Sequence, residues 1–135
     1  MIEKAKEDYL RAIYHLQEDK EDAQEDVSSI NLAKYLNVSK PTVSEMIRKL
    51  MKEKLIHTTP YGKITLTKKG MYESKEITKK HRIIEVFLAK ILKINRKTIH
   101  EEAHRLEHAF SNDSIMSISN LIKNTKHCPH GKLIP

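Results

Sequence analysis

Apolar residues recur at intervals of three and four along most of the chain, which is the spacing that buries one face of a helix. The pattern predicts a first helix over residues 5–19, then two short helices, and later helices over 74–93 and about 96–110. One stretch near residues 57–70 alternates β-prone residues instead. The chain is therefore predicted to be mainly α, with an acidic loop near residues 18–26.

The two short helices carry the signals of a helix-turn-helix. Ser28 or Ser29 caps the first, Asn37 suits the turn, and Ser39 caps the second, which has Pro41 in its first turn. The apolar side of the second helix carries Val43, Met46, Ile47 and Leu50. An amphipathic second helix with small polar and basic residues near its start is what a recognition helix needs to enter a major groove.

The polar side of this second helix and the stretch after it supply the candidate DNA-binding residues. Residues suited to base edges are Thr42, Ser44 and Glu45, and those suited to phosphates are Arg48, Lys49 and Lys52. The alternating stretch turns at Tyr61-Gly62 and predicts a two-stranded wing, which brings Lys63 to the DNA backbone. The full candidate set is Ser39, Pro41, Thr42, Ser44, Glu45, Arg48, Lys49 and Lys63. The alternative is that the pair of short helices and the two-stranded hairpin serve only to pack the protein and do not bind DNA.

Positive charge is concentrated in the part of the chain that contains the predicted helix-turn-helix and wing. The chain has 25 Lys and Arg against 18 Asp and Glu, a net charge of +7. Residues 27–99 alone hold 17 basic and 5 acidic residues, a net +12, whereas residues 1–26 hold 4 and 9, a net −5. A basic segment favours a polyanionic partner, because each cation that neutralises a phosphate releases counterions. Motif and charge together predict double-stranded DNA as the partner.

Composition excludes several other classes of protein. Hydrophobic residues make up 39% and mean hydropathy is −0.59, so no apolar run approaches the roughly 20 residues that span a bilayer. The N-terminus lacks the basic start and apolar stretch of a secretory signal, and one Cys cannot form an intrachain disulfide framework. We therefore expect a cytoplasmic protein with no membrane association and no small-molecule substrate.

The helix predicted over about 96–110 has metal-ligand residues where an amphipathic helix normally has Leu or Val. On one arc of about 100° lie His100, His104, Glu107 and His108. On the preceding helix, His81 and Glu85 are one turn apart. Imidazole and carboxylate groups bind divalent first-row metals and are costly together on one face unless something binds them. The sequence predicts a metal site, to which Asp8 on the first helix can add a ligand.

The same helix contains a pattern that suggests an enzyme. Residues 100–104, His-Glu-Glu-Ala-His, match the HExxH pattern of zinc proteases, in which Glu101 would be the general base. A zinc metallohydrolase is therefore an alternative. The ligand stripe continues past the pentapeptide to His108, and 135 residues leave little chain for a substrate cleft. These two features favour a protein that is not an enzyme.

The residues together resemble the diphtheria toxin repressor family of metal-dependent transcriptional regulators, in both its iron-dependent and manganese-dependent branches. The matching segments are Glu7 to Leu10, Val38 to Ser44, Leu66 to Gly70, His81-Arg82 with Glu85, and His100 to His108. The resemblance implies a winged helix-turn-helix domain over 1–72 and an all-helical metal-binding and dimerisation domain over 73–135. We further predict a homodimer, because the helices of the second domain carry more apolar residues than a two-helix hairpin can bury. Such a dimer is expected to repress genes of metal homeostasis from a palindromic operator.

The resemblance implies two metal sites. One would use Asp8, His104, Glu107 and His108, and the other would use His81, Glu85 and His100. Asp8 and His104 stand where the iron branch has Met and Cys, which leaves the first site without a sulfur ligand. Arg11 and His104 stand where the manganese branch has carboxylates. The implied metal is Fe(II) or Mn(II), with Co(II), Ni(II) or Zn(II) as substitutes in vitro.

The end of the chain leaves two questions open. Longer members of the family continue into a small SH3-like β-barrel after a Cys-Pro-x-Gly segment, which residues 127–131 resemble, so we expect a short form or a truncated chain. Cys128 with His127 and His130 either holds a metal or is a reduced tail residue, and the second interpretation is favoured. A further alternative is a winged-helix regulator whose metal site is structural and insensitive to metal level.

Overall fold

The computed structural model describes residues 2–19, 27–60, 62–122 and 125–135. The chain divides into two compact units, Met1–Lys75 and Glu76–Pro135. Helices dominate both units, which confirms the predicted mainly α fold. Within the described ranges, no helix combines the length and the apolar character needed to cross a membrane.

The first unit is a helix-turn-helix followed by a small sheet. Its elements are α1 (Ile2–Glu18), β1 (Val27–Ser28), α2 (Ser29–Leu36), α3 (Lys40–Lys52), β2 (Ile56–Thr58) and β3 (Lys63–Leu66). Helix α2 packs against both α1 and α3, and α3 packs against β2. The core between them includes Leu10, Ile13, Leu32, Leu50, Leu55 and Ile64, all of them buried.

The helix ends in this unit are fixed by side chains that the sequence had identified. The hydroxyl of Ser28 accepts a hydrogen bond from the Asn31 amide at 3.0 Å, which caps α2. Asn37 ends that helix with a φ of 55°, the left-handed conformation in which Asn is tolerated. Ser39 then caps α3 by accepting from the Thr42 amide at 3.3 Å. The two caps at Asn37 and Ser39 fix the tight turn between α2 and α3.

The wing is an antiparallel pair of strands, as the alternating pattern predicts. Ile56 pairs with Leu66 and Thr58 with Ile64. A third strand, β1, pairs with the free edge of β3 and was not predicted, because two residues are too few to produce an alternating pattern. The acidic loop was predicted near residues 18–26, but α1 includes Glu18. Residues 20–26 and the turn residue Tyr61 lie outside the described residues.

Helix α4 (Lys68–Lys90) starts six residues earlier than the predicted start at Ser74. Thr67 caps it by accepting a hydrogen bond from the Gly70 amide at 3.0 Å. Gly70 lies in the first turn of α4. A glycine is needed at this position because a Cβ would overlap the carbonyl oxygen of Leu55. The glycine thus marks a close approach of two backbone segments and not the end of a loop.

The second unit packs the rest of α4 against α5 (Arg96–Glu107), α6 (Asn112–Leu121) and the C-terminal segment. Its core consists of Ile83, Ile84, Val86, Leu88, Ile99, Ala103, Ile115, Ile118 and Ile122. Helix α6 was not predicted, although Ser111 caps it by accepting from the Ser114 amide at 3.1 Å. Ile91 and Leu92 fall within the helix predicted over 74–93, but they are 45% and 52% exposed because α4 ends at Lys90.

Candidate metal centre and nucleic-acid face

Helices α4 and α5 bring the predicted ligands His81, Glu85 and His100 together. Glu85 Oε2 lies 3.6 Å from His81 Nε2 and 3.8 Å from His100 Nδ1. The His81 and His100 rings meet edge to face, with centroids 4.9 Å apart. His81 and Glu85 are buried, whereas half of the His100 side chain is exposed. One side of this group therefore remains open to an incoming ion.

The C-terminal segment adds two more ligand groups. A tight turn forms over residues 128–131, in which the Gly131 amide donates to the Cys128 carbonyl at 2.9 Å. His130 Nδ1 lies 3.2 Å from Glu85 Oε2. Glu85, Cys128 and His130 form a second group, in which the three ligand atoms all lie within 4.8 Å of one another. His127 pairs through its backbone with Leu133 and is not part of the group.

Two arginines hold this segment against the helices of the second unit. The Arg82 guanidinium, which is buried, donates to the Leu133 carbonyl at 2.6 Å. Arg96, at the start of α5, donates to the Pro129 carbonyl at 3.0 Å. Hydrogen bonds from a charged donor are stronger than neutral ones. The arginines therefore fix the turn that presents Cys128 and His130 to Glu85.

Two triads share Glu85, and we call their five residues together the Glu85 cluster: His81, Glu85 and His100 in one triad, and Glu85, Cys128 and His130 in the other. The resemblance implies the first three as one site, but the role of Cys128 and His130 is left open by the sequence, because distance along the chain gives no sign that residues 128–130 return to α4. The signal that could have found them is the short His-Cys-Pro-His run itself, which is a typical source of metal ligands. Cys128 also brings a sulfur ligand into this region of the protein.

The electrostatics of Glu85 fit a cation. Burial alone would raise the pKa of its carboxyl, but the imidazoles of His100, His81 and His130 outweigh burial and lower that pKa to about 2. These imidazoles approach Glu85 Oε2 without forming a well-aligned hydrogen bond to it, although the oxygen is fully buried. Ligand atoms on one ion with bonds of about 2.1 Å lie about 3.0–3.5 Å apart. The observed nitrogen-to-oxygen distances of 3.2–3.8 Å are close to that range.

A second group lies at the end of α5. We call it the α5 cluster: His104, Glu107 and His108. Glu107 Oε1 lies 4.0 Å from His104 Nε2 and 3.5 Å from His108 Nε2, and the Glu107 side chain is buried. The helical spacing predicted these three residues on one face together with His100, and the resemblance implied that His100 belongs to the other site. Asp8, the fourth ligand implied for it, is a half-buried residue of α1 in the first unit, and its role stays a prediction.

The two imidazoles of the HExxH pattern belong to different groups. His100 faces Glu85, and His104 faces Glu107. In an HExxH enzyme both imidazoles bind one ion and the glutamate faces the same site. Glu101 is exposed and belongs to neither cluster. The geometry therefore gives the metallohydrolase alternative no support.

The nucleic-acid face is the exposed side of α3 with the wing beside it. Exposed residues of the candidate set are Ser39, Pro41, Thr42, Ser44, Glu45, Arg48, Lys49 and Lys63. The hydroxyls of Ser39 and Thr42 lie 2.7 Å apart, so both are engaged in the cap. Lys49 lies 3.6 Å from the Glu45 carboxylate. Contact of these residues with DNA stays a prediction.

A winged helix-turn-helix unit joined to a helical unit with clustered metal ligands defines a class of protein, the metal-binding transcription regulators. Sequence comparison identifies the family. Residues 1–64 match the "Iron dependent repressor, N-terminal DNA binding domain", and residues 67–135 match the "Iron dependent repressor, metal binding and dimerisation domain". The chain belongs to this iron-dependent repressor family, which confirms the resemblance stated above.

Individual relatives agree with this assignment. An uncharacterised HTH-type transcriptional regulator of Methanocaldococcus jannaschii is 36% identical over 120 residues, which cover 89% of this chain and 94% of the relative. The diphtheria toxin repressor of Corynebacterium glutamicum is 29% identical over 129 residues, 94% of this chain. The structure of the manganese regulator SloR superposes with a TM-score of 0.81 at 39% identity and covers 96% of this chain.

The relatives differ in the share of their length that this chain covers. The chain spans 54% of the C. glutamicum repressor and 59% of the SloR chain. These relatives are described as regulators or repressors. The family assignment therefore establishes a metal-dependent transcriptional repressor class, while the metal, the operator and the ligand residues need separate arguments.

Proposed function

We propose that this chain is a metal-activated repressor. Metal ions bound at the Glu85 cluster and at the α5 cluster would raise the affinity of α3 and the wing for DNA. The observation that carries this proposal is the environment of Glu85. Its buried Oε2 lies within 3.8 Å of three imidazole nitrogens, and none of them meets it in a well-aligned hydrogen bond. Burying such a set is costly unless a cation joins it.

The residues that would hold the ions are those of the Glu85 cluster and the α5 cluster. A bound ion supplies two positive charges and directional bonds that draw the ligand atoms together. From the resemblance to the family we further assign Asp8 to the α5 cluster. A ligand from α1 would tie the DNA-binding unit to α5 and favour one arrangement of the recognition helices, which is how metal and DNA binding become linked.

Fe(II) or Mn(II) is the proposed physiological metal. The α5 cluster offers only nitrogen and oxygen among its described ligands, and this donor set suits both ions. The family is described as iron-dependent, and a structural relative is described as a manganese regulator. Cys128 makes the Glu85 cluster softer, so Zn(II) and Co(II) are expected to compete there more strongly than at the α5 cluster.

The active form is proposed to be a homodimer on a palindromic operator. Several large apolar residues of the second unit are exposed, namely Ile91, Leu92, Met116, Leu121 and Leu133. An apolar surface of this kind suits an interface between copies. Two recognition helices related by a two-fold axis would then read two half-sites one helical turn or more apart.

A DNA-binding titration tests the proposal. A duplex is first selected from a randomised pool in the presence of Mn(II), and its affinity for the chain is then measured with Mn(II), Fe(II) or chelator at constant salt. We expect chelation to weaken binding by about 5–150-fold, the usual range of such coupling. Equal affinities would refute metal activation. Unfolding on chelation, followed by far-UV circular dichroism, would identify a structural metal instead.

A further inference from the structure

One hydrogen bond connects the two clusters. His81 Nδ1 lies 2.7 Å from Glu107 Oε2, and both side chains are at least 95% buried. Because a carboxylate accepts, Nδ1 is the donor. The second nitrogen of the His81 ring faces the Glu85 cluster, and the second oxygen of the Glu107 carboxylate faces the α5 cluster. His81 Nε2 lies 3.6 Å from Glu85 Oε2, while Glu107 Oε1 lies 3.5 Å from His108 Nε2.

This arrangement makes the orientation of Glu107 depend on His81. An imidazole that binds metal through one nitrogen keeps its proton on the other, which then donates to a nearby carboxylate and fixes both groups. Ligation at His81 Nε2 would therefore secure the Nδ1 donor and hold Oε2 of Glu107. The remaining oxygen, Oε1, is then directed toward His104 and His108. In a buried site this hydrogen bond has little competition from water.

We propose that the His81–Glu107 hydrogen bond couples the two clusters, so that filling the Glu85 cluster prearranges Glu107 and tightens binding at the α5 cluster. This inference rests on the proposed function, because it requires both clusters to bind metal. Linkage demands that filling the α5 cluster tighten the Glu85 cluster by the same factor. Direct repulsion between two divalent ions acts in the opposite direction, so the sign of the coupling distinguishes prearrangement from simple electrostatics.

Mn(II) calorimetry on the full chain and its variants tests the coupling. Glu85→Gln disables the Glu85 cluster, and His108→Ala disables the α5 cluster, without altering either atom of the hydrogen bond. Each remaining site is expected to bind Mn(II) about tenfold more weakly than the same site in the wild-type chain whose other cluster is filled. Glu101→Gln, an exposed change on α5, is the matched control and should leave both affinities unchanged.

Two substitutions of His81 then test whether the coupling depends on the His81–Glu107 hydrogen bond. His81→Gln keeps an amide near the position of Nε2 and loses the donor to Glu107, so two ions should bind without coupling. His81→Asn keeps a donor near the position of Nδ1 but cannot reach Glu85, so the α5 cluster alone should bind, at its uncoupled affinity. Coupling that survives in His81→Gln would overturn the proposed route.

The remaining outcomes separate this inference from the proposed function. Two ions that bind the wild-type chain independently, or that weaken each other, would overturn the coupling and leave metal activation intact. A folded wild-type chain that binds no Mn(II), Fe(II) or Zn(II) would overturn both.

Discussion

The two ligand clusters of the second unit are built in opposite ways. The α5 cluster takes all its described ligands from five consecutive positions at the end of one helix, 104–108. The Glu85 cluster instead draws on α4, α5 and a turn near the C-terminus, with ligands separated by up to 49 positions between His81 and His130. Local spacing is therefore sufficient to form one cluster, whereas the other exists only when the unit is folded.

This difference predicts which cluster controls DNA binding. His104→Ala removes a ligand from the α5 cluster, which we propose to connect to α1 through Asp8. The variant should lose most of the metal stimulation of DNA binding, about 100-fold if the wild-type coupling is at the upper end of its range. Fluorescence anisotropy with a labelled selected duplex measures this loss, and Glu101→Gln serves as the control. Retention of full stimulation would exclude the α5 cluster as the controlling site.

The Glu85 cluster is expected to act more weakly on DNA. Glu85→Gln removes the central carboxylate while leaving the α5 cluster complete, so Mn(II) should still stimulate DNA binding, at an Mn(II) concentration about tenfold higher. The midpoint of an Mn(II) titration followed by anisotropy gives this shift. An effect of Glu85→Gln on DNA affinity as large as that of His104→Ala would remove the distinction between the clusters.

Sulfur ligation distinguishes the clusters spectroscopically. Cys128 Sγ belongs to the Glu85 cluster, and the α5 cluster has no sulfur among its described ligands. The Co(II)-loaded chain should therefore show a thiolate-to-cobalt charge-transfer band that Cys128→Ser abolishes and His104→Ala preserves. Because thiolates favour softer ions, Cys128→Ser should also weaken Zn(II) binding by about tenfold. A charge-transfer band that persists in Cys128→Ser would contradict this ligand assignment.

The smallest expected effect concerns the arginine that holds the C-terminal turn. Arg96→Ala removes the hydrogen bond to the Pro129 carbonyl. Its guanidinium is exposed, so the loss should weaken metal binding at the Glu85 cluster by only a few-fold, equivalent to about 1 kcal/mol. Zinc competition assays can resolve such a change. An unchanged affinity would show that the turn holds its position without Arg96.

Local signals in the sequence were sufficient for much of this molecule. Side-chain caps such as Ser28 and Ser39 predicted the helix-turn-helix, and β-prone alternation predicted the wing. Helix α6 was missed although Ser111 marks its start and Ile115 and Ile118 mark its buried face. Its short length, ten residues, makes such a pattern weak against the surrounding polar residues.

The unpredicted part of the candidate site depends on tertiary contacts. No periodicity connects His130 to Glu85, because the return of the chain is fixed by hydrogen bonds from Arg82 and Arg96 to backbone carbonyls. The His81–Glu107 hydrogen bond likewise joins residues 26 positions apart on different helices. Sequence spacing identifies which residues are ligands on one helix, and packing decides which helices share them.

The central claim is that metal and DNA binding favour the same form of the protein. Linkage makes this claim testable from the metal side. Mn(II) affinity is measured by calorimetry on the chain alone and on the chain saturated with the selected duplex. The account predicts that DNA tightens Mn(II) binding by the same factor by which Mn(II) tightens DNA binding, about 5–150-fold. An Mn(II) affinity that is identical with and without DNA would contradict it.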